Sequence, residues 1–138
     1  SGVGSLTLPA NYWKVGKTIR FRIWGYFDNS GTPTLQFKFK LDSVTVLDSG
    51  AITTPSGVTG KQWSFEGELT CRAAGAGGTI KGQGRVFIDA TPYAVVTTTL
   101  SSTVNTTQSD AIDITAQWGT SSASNNLVST NLAIEALP

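Results

Sequence analysis

The alternation of apolar and polar residues between positions 18 and 41 predicts two antiparallel strands. Thr18–Phe27 reads TIRFRIWGYF and Thr34–Leu41 reads TLQFKFKL, with the turn-rich segment DNSGTP between them. Apolar residues at every second position are typical of strands that bury one face. A shift of one residue would move Phe37 and Phe39 into water, so the pattern also fixes the register.

Turn residues recur at short intervals along the rest of the chain and separate further strand segments. The six additional strands predicted are Ser43–Leu47, Gln62–Arg72, Thr79–Ile88, Ala94–Leu100, Asp110–Trp118 and Leu127–Leu137. Eight antiparallel strands in one domain predict an all-β jelly-roll β-sandwich over residues 18–138, preceded by a lead-in segment over residues 1–17. An immunoglobulin-like sandwich is the alternative, but the strand count and the absence of a cysteine pair count against it.

The strand order known from jelly rolls makes a further prediction about charges. In that order the first, last, third and sixth strands form one sheet, and the second, seventh, fourth and fifth form the other. The charged neighbours expected from it are Lys38 and Lys40 with Asp113, Asp113 with Glu66 and Glu68, Glu66 and Glu68 with Lys81 and Arg85, and Arg20 and Arg22 with Glu135. Opposite charges on adjacent strands stabilise a sheet, so this pattern favours the order.

Composition excludes several classes of function. Only 14% of the 138 residues are charged and the net charge is +1, which argues against nucleic acid as a partner. No apolar run reaches the length that crosses a bilayer, so we expect no membrane insertion. The chain has no histidine and one cysteine, Cys71, which excludes histidine-based catalysis, His or Cys metal sites and an internal disulfide. We therefore expect no cofactor, and a buried Cys71.

Carboxylates are the only common catalytic groups that remain. Glu66 and Glu68 lie two residues apart in a predicted strand, which places them roughly 6.5–7 Å apart on one face. That spacing overlaps the one used by inverting glycosidases. Since arginine and lysine are expected around both, we interpret them as a surface charge ladder. The sequence thus predicts no catalytic residue and a protein that is not an enzyme.

Four aspartates at strand ends were considered as ligands of a structural cation. They are Asp42, Asp48, Asp89 and Asp110. No loop with the spacing of a calcium-binding motif occurs, and aspartate more often caps turns. We therefore predict no metal site.

Three large aromatic residues fall in the polar phase of their strands. Trp24, Tyr26 and Phe87 alternate with inward residues, so they should face out of the sandwich. Outward aromatic side chains mark a subunit interface or a ligand platform, and we interpret these three as candidates for an interface. Trp63 and Trp118 fall in the inward phase and are expected in the core.

Nearly the whole chain resembles a family of tailed-bacteriophage virion proteins. Members share a lead-in of the type LTIPANFFKVGKTIRI, an SGTPTL turn, a CRxxGxxGT stretch, a GQGRF strand and a closing segment with the pattern Q(W/F)..AS..N.I...N..IE.L. The corresponding residues here are Leu6–Ile19, Ser30–Leu35, Cys71–Thr79, Gly82–Phe87 and Gln117–Leu137. These motifs are structural, so the resemblance is informative about fold and setting.

The resemblance implies a jelly-roll domain similar to tumour-necrosis-factor-like trimers, located on a virion assembled in the host cytoplasm. The expected function is that of a non-enzymatic structural protein, as the trimeric head of a tail fibre or spike, or as a head fibre that decorates the capsid. The expected partners are two further copies of the chain, other virion proteins and a host-surface glycan.

The jelly-roll order also places four loops together at one end, with the start of the first strand and the end of the last strand at the other. The loops are Asp28–Pro33, Asp48–Gly60, Asp89–Tyr93 and Gly119–Asn126. Residues in them that could contact a ligand are Asp28, Asn29, Tyr93, Asn125 and Asn126.

Two other functions remain open from the residues alone. A carbohydrate-binding module of a secreted or phage-borne enzyme would use the outward aromatic residues to stack on sugar, and would not need to be a trimer. A glycoside hydrolase that uses Glu66 and Glu68 is the weaker alternative.

Overall fold

A computed structural model describes residues 6–96 and 102–138 of the chain. Those residues form eleven β-strands and no helix. The strands are β1 (Leu6–Leu8), β2 (Thr18–Asp28), β3 (Thr34–Leu41), β4 (Val44–Asp48), β5 (Ile52–Thr53), β6 (Lys61–Ala73), β7 (Gly78–Ile88), β8 (Thr91–Val96), β9 (Ser102–Val104), β10 (Asp110–Trp118) and β11 (Asn126–Ala136).

The strands form two antiparallel sheets packed face to face. The smaller sheet has the order β1-β10-β3-β4, with β5 beside β3. The larger sheet has the order β11-β2-β6-β7-β8, with β9 beside β7. The prediction of an all-β antiparallel β-sandwich is therefore confirmed.

The order of the strands differs from the jelly-roll order expected. The expected pairs β2–β11, β3–β10 and β6–β7 are present. However, β4 pairs with β3 instead of entering the other sheet, and β6 pairs with β2 instead of β10. The physical reason for the first difference is local. Only Asp42 and Ser43 connect β3 to β4, and Asp42 adopts a positive φ of 51°, so the chain reverses at once into a hairpin.

The core contains the apolar residues that the period-two pattern of the sequence predicted to face inward. Inward residues of β2 and β3 are almost fully buried, among them Ile19, Phe21, Phe37 and Phe39. Cys71 and Trp63 are also buried, as expected, whereas Trp118 is half-buried and its ring lies 6.1 Å from that of Phe27.

Aromatic rings join the two sheets. The ring of Phe21 on β2 lies 4.6 Å from Phe39 on β3 and 5.0 Å from Phe65 on β6. The ring of Phe37 lies 5.1 Å from that of Trp63. Aromatic pairs of this kind add about 0.5–1.5 kcal/mol each beyond the burial of their area.

The described part of the lead-in segment contributes to the same core. Leu8 on β1 and Trp13 after it are buried, and β1 pairs with β10. The backbone N–H of Gly16 donates to the carbonyl oxygen of Cys71 at 2.8 Å. Residues 6–17 are therefore part of the sandwich, although the sequence predicted them as a separate lead-in.

Gly25 on β2 lies against the backbone of β11 with no room for a side chain. A β-bulge at residues 129–131 brings the backbone of β11 against Gly25, so that a Cβ atom there would collide with the carbonyl oxygen of Val128. The indole Nε1 of Trp63 donates to the carbonyl oxygens of Val128 and Tyr26, each at 3.2 Å. The indole thus satisfies backbone carbonyls beside the bulge.

We predict that Gly25→Ala lowers the free energy of unfolding by more than about 2 kcal/mol, because the added methyl group displaces the β11 backbone. Denaturant unfolding measures the change. Gly77→Ala is the matched control, since a Cβ atom at Gly77 meets open space and should change stability by less than about 0.5 kcal/mol. Equal stabilities for the two variants would contradict the prediction.

Candidate functional site

The outer face of the larger sheet carries the three aromatic residues that the sequence singled out. Trp24 and Tyr26 project from β2 and Phe87 from β7, on the side opposite the core. Trp24 and Phe87 are half-buried, and Tyr26 is 42% exposed. The structure therefore brings all three to one surface, although not as one flat patch.

A groove runs along β6 between these aromatic side chains. Ser64 pairs with Trp24 on one side and with Phe87 on the other. Because adjacent strands lie about 4.8 Å apart, the two aromatic residues stand roughly 9–10 Å apart across a small serine. Large side chains on β2 and β7 thus form the walls, and the short side chain of β6 forms the floor.

The groove continues towards the end of the sandwich where β2 and β7 stop. Tyr26 and Gln62 are register partners at this end, and Gly60 and Asp89 also line the groove. The carboxylate of Asp89 lies 3.4 Å from the ammonium group of Lys61. The groove therefore combines aromatic walls with amide, hydroxyl and charged groups, a mixture found in sites for polar ligands.

Arginine side chains cover the other end of the aromatic walls. The guanidinium carbon of Arg22 lies 4.9 Å from the ring centroid of Trp24, and that of Arg85 lies 5.9 Å from the ring centroid of Phe87. Both distances suit cation–π interaction, which at exposed positions contributes about 0.5–1 kcal/mol. These contacts hold the rings in place along the strands.

A ladder of opposite charges crosses the same face beyond the aromatic residues. Arg20 donates to Glu68 at 2.9 Å and 3.0 Å and to Glu135 at 3.4 Å, and Arg22 lies 3.8 Å from Glu66. The hydrogen bonds from Arg20 to Glu68 raise the pKa of this guanidinium above its usual value.

The register of the strands confirms part of the charge pattern expected from the sequence. Arg20 is the register partner of Glu135, and Lys40 that of Asp113. Glu66 and Glu68, however, do not neighbour Asp113, because β6 pairs with β2 and not with β10.

Glu66 and Glu68 remain weak candidates for catalysis in this arrangement. Each carboxylate is ion-paired with an arginine, Glu66 with Arg22 and Glu68 with Arg20. Both lie on the open sheet face, where ion pairs serve as cross-strand contacts. The geometry is that of the charge ladder that the sequence predicted.

The four loops lie together at one end of the sandwich, as predicted. Asp28 at the end of β2 is the register partner of Asn126 at the start of β11, and the adjacent Phe27 pairs with Lys61 at the start of β6. Ile19 pairs with Ala136 at the opposite end. The connections are residues 29–33, 49–60, 89–90 and 119–125, and we call this end the loop end.

Hydrogen bonds from two buried asparagines tie these loops to one another. Asn29 Nδ2 donates to Thr54 Oγ1 and to the carbonyl oxygen of Pro55, each at 2.8 Å, and Asn29 Oδ1 accepts from the N–H of Val58 at 2.9 Å. Asn125 Oδ1 accepts from a loop N–H at 3.2 Å, and its Nδ2 donates to a carbonyl oxygen at 3.0 Å. Both side chains satisfy backbone groups that would otherwise lack partners.

These contacts correct three of the residues predicted to bind a ligand at the loop end. Asn29 and Asn125 are buried and hold loops together. Tyr93 is not a loop residue: the turn after β7 is only two residues long, so Tyr93 lies on β8 as the partner of Val86 and packs against the core. Asp28 accepts a hydrogen bond from Gly60, and Asn126 is exposed.

The four aspartates considered for a cation do not converge. Asp42 is hydrogen-bonded to Ala111, next to Asp110, at the end opposite the loops. Asp48 accepts from Gln36 and Gly50 near the start of the 49–60 loop. Within the residues that the structure describes, no three His, Cys, Asp or Glu side chains lie close enough to hold a metal ion.

Sequence reasoning identified the aromatic residues but not the groove between them. The groove depends on Ser64, which is unremarkable in sequence and becomes the floor only because β6 pairs with both β2 and β7. The small size of residue 64 between two strands with outward aromatic residues is the one signal that could have suggested it.

Comparisons with known proteins give no relative of this chain. No family model, no curated protein and no solved structure matches it. No helix among residues 6–96 and 102–138 is long and apolar enough to cross a membrane.

We predict that Asn29→Ala destabilises the protein by about 1–3 kcal/mol, because it leaves backbone groups of the 49–60 loop without partners. Thermal unfolding measures the loss, and limited proteolysis should show faster cleavage in that loop. Asn126→Ala is the control, since Asn126 is an exposed asparagine at the same end. If Asn126→Ala were as destabilising as Asn29→Ala, the loop contacts would not be the cause.

Proposed function

We propose that this chain is a non-enzymatic structural protein of a bacteriophage virion that assembles as a homotrimer and presents its loop end. The observation that carries the proposal is the cluster of aromatic side chains on an outer sheet face. Trp24, Tyr26 and Phe87 lie on the side of the sheet opposite the core and are not part of its buried cluster. Aromatic residues on such a surface are characteristic of protein interfaces.

The size and chemistry of the face support an interface between copies. Five adjacent strands give it a width of roughly 20 Å, and eight residues give a length of about 26 Å. One partner in a standard interface buries about 800 Å². The area of this face is of the same order once the uneven surface of its side chains is included. Exposed apolar side chains of Tyr26 and Val128 extend the patch to the edge strand β11.

The position of the loops supports display. The loop end, whose loops are joined by hydrogen bonds, is opposite the end at which β2 begins and β11 ends. A chain attached through that opposite end would hold the loops outermost. The setting on a tail fibre, spike or head fibre, with other virion proteins as partners, rests on the resemblance of the sequence motifs.

A second candidate function, a carbohydrate-binding module, is favoured by the concave shape of the groove. Trp24 and Phe87 face each other across Ser64, and Gln62 and Asp89 supply hydrogen-bonding groups nearby. Aromatic walls that stack on apolar faces, combined with a few polar groups, suit the surface of a sugar. The three register rows from Arg22 to Tyr26 span roughly 13 Å, which accommodates a short saccharide rather than one ring.

Light scattering during size exclusion tests the first candidate. At micromolar concentration we expect a mass three times the 14.5 kDa of the chain, and Trp24→Asp should give monomers because it places a charge in the contact. Thr115→Asp, on the outer face of the other sheet beside Lys38, is the matched control and should stay trimeric. A wild-type protein that stays monomeric would rule out the trimer. A Trp24→Asp variant that remains trimeric would show that the interface lies on another surface.

Glycan binding tests the second candidate. A module of this kind would bind glycans on an array as a monomer, and Phe87→Ala should weaken the measured affinity at least tenfold through loss of one wall. Val128→Ala, on the same face but outside the groove, should retain binding. Loss of binding in both variants, or binding by the trimer alone, would count against a monomeric module.

A further inference from the structure

A depression of about 580 Å³ lies beside the groove on the outer face of the larger sheet. Its floor includes Gly67 on β6 and Gly84 on β7, which are register partners and are both partly exposed. The two strands are so close here that a Cβ atom at Gly67 would come within 2.7 Å of the carbonyl oxygen of Gln83. Backbone rather than side chain therefore forms the floor, as is common where a ligand or another strand approaches closely.

The depression and the groove together form one trough along β6. Arg22 and Glu66 line both of them, because the row of Glu66 adjoins the row of Ser64. Alternate residues of a strand are about 6.5–7 Å apart. The four rows from Tyr26 in the groove to Arg20 in the depression thus span roughly 20 Å, a length that takes several linked sugar units.

Three arginines line the depression, and they differ in how far they are engaged by carboxylates. Arg20 donates to glutamates on both sides, at distances between 2.9 Å and 3.4 Å. Arg22 has only the contact with Glu66 at 3.8 Å, which is too long for a hydrogen bond. Arg85 makes no ion pair with any residue that the structure describes. The donors of Arg22 and Arg85 are therefore open to a ligand.

Arg22 and Arg85 stand on either side of Glu66, as its register partners on β2 and β7. Each guanidinium group also lies over an aromatic ring of the groove, Arg22 over Trp24 and Arg85 over Phe87, which holds both groups in place along the strands. One carboxylate between two guanidinium groups leaves one positive charge unmatched. A second carboxylate, supplied by a ligand, would balance it and would accept from the planar forks that arginine presents.

We propose that the trough binds an acidic saccharide. The acidic sugar unit lies in the depression, where Arg22 and Arg85 hold its carboxylate, and the adjoining unit lies in the groove beside Trp24 and Phe87. This inference rests on the second candidate function, since it specifies which glycans that site takes. Charge complementarity selects the acidic class, because a neutral saccharide would leave the excess positive charge of the two arginines without a partner.

A glycan array that carries sialylated, uronic-acid-containing and neutral glycans tests the proposal. We expect the wild type to bind acidic glycans and to bind them more weakly at high salt, since salt screens exposed charges. The methyl ester of the best acidic ligand is the matched control ligand, because it keeps the sugar and removes the charge. Its affinity should be at least about tenfold lower than that of the free acid.

Two variants change the affinity for the same acidic glycan in opposite directions. Arg85→Gln should weaken binding at least about tenfold, because it removes a charged donor. Glu66→Gln should strengthen binding, because it removes the carboxylate that competes for both arginines. Arg72→Gln is the matched control: Arg72 is an exposed arginine of β6 that lines neither the depression nor the groove, so wild-type affinity should remain. Thermal unfolding verifies that each variant is folded.

The outcomes separate this inference from the candidate function on which it rests. Binding of neutral glycans alone, or acidic-glycan binding that Arg85→Gln leaves unchanged, would overturn the acidic-saccharide site and leave a carbohydrate-binding module in place. Equal losses in Arg85→Gln and Arg72→Gln would indicate attraction by overall charge and would overturn the site too. Weaker binding in Glu66→Gln would show that Glu66 holds the ligand, against the proposal. Absence of binding to every glycan would overturn both the site and the module.

Discussion

The contact of Phe21 with Phe39 and Phe65 is the constraint on which the rest of the structure depends. It joins β2 and β6 of the larger sheet to β3 of the smaller one, with ring centroids 4.6 Å and 5.0 Å apart. Because side chains alternate along a strand, burying Phe21 also fixes every outward residue of β2. A shift of one residue would bury Arg20 and Arg22, at a cost far above the few kcal/mol by which a domain of this size is stable.

The packing of the core therefore determines which residues of β2 face outward. The side chains on that outer face do not themselves pack in the core. Ion pairs such as Arg20–Glu68 are exposed and each contributes at most about 1 kcal/mol. Trp24 and Phe87 are half-buried on the outer face, and neither belongs to the buried cluster between the sheets. The proposed contact with another copy or with a saccharide would give these two side chains, on either side of Ser64, a role that the core does not give them.

The alternation along β2 and β3 could be read directly from the sequence, because it depends only on neighbouring residues. The partner of each strand could not be read in this way. The register partners of β2 and β6 are 34 to 52 residues apart, and the sequence pattern is the same for either neighbour. The position of Tyr93 was missed for a smaller reason. The turn at residues 89–90 is shorter than the predicted loop, so β8 begins at Thr91 and Tyr93 lies within this strand, paired with Val86. Burial of Asn29 was equally invisible, because the unpaired backbone groups that it satisfies belong to a loop distant in sequence.

The two ends of the sandwich are held by different side-chain chemistry, amides at one end and a carboxylate at the other. At the loop end, the amide side chains of Asn29 and Asn125 make the decisive hydrogen bonds, and amides do not titrate between pH 4 and 8. At the other end, the carboxylate of Asp42 accepts from the backbone N–H of Ala111 at 2.8 Å, and the N–H of Asp42 donates to the carbonyl oxygen of Ala111 at 2.8 Å. These contacts close the β3–β4 turn onto β10, and the apolar core around Phe21 lies between this turn and the loop end.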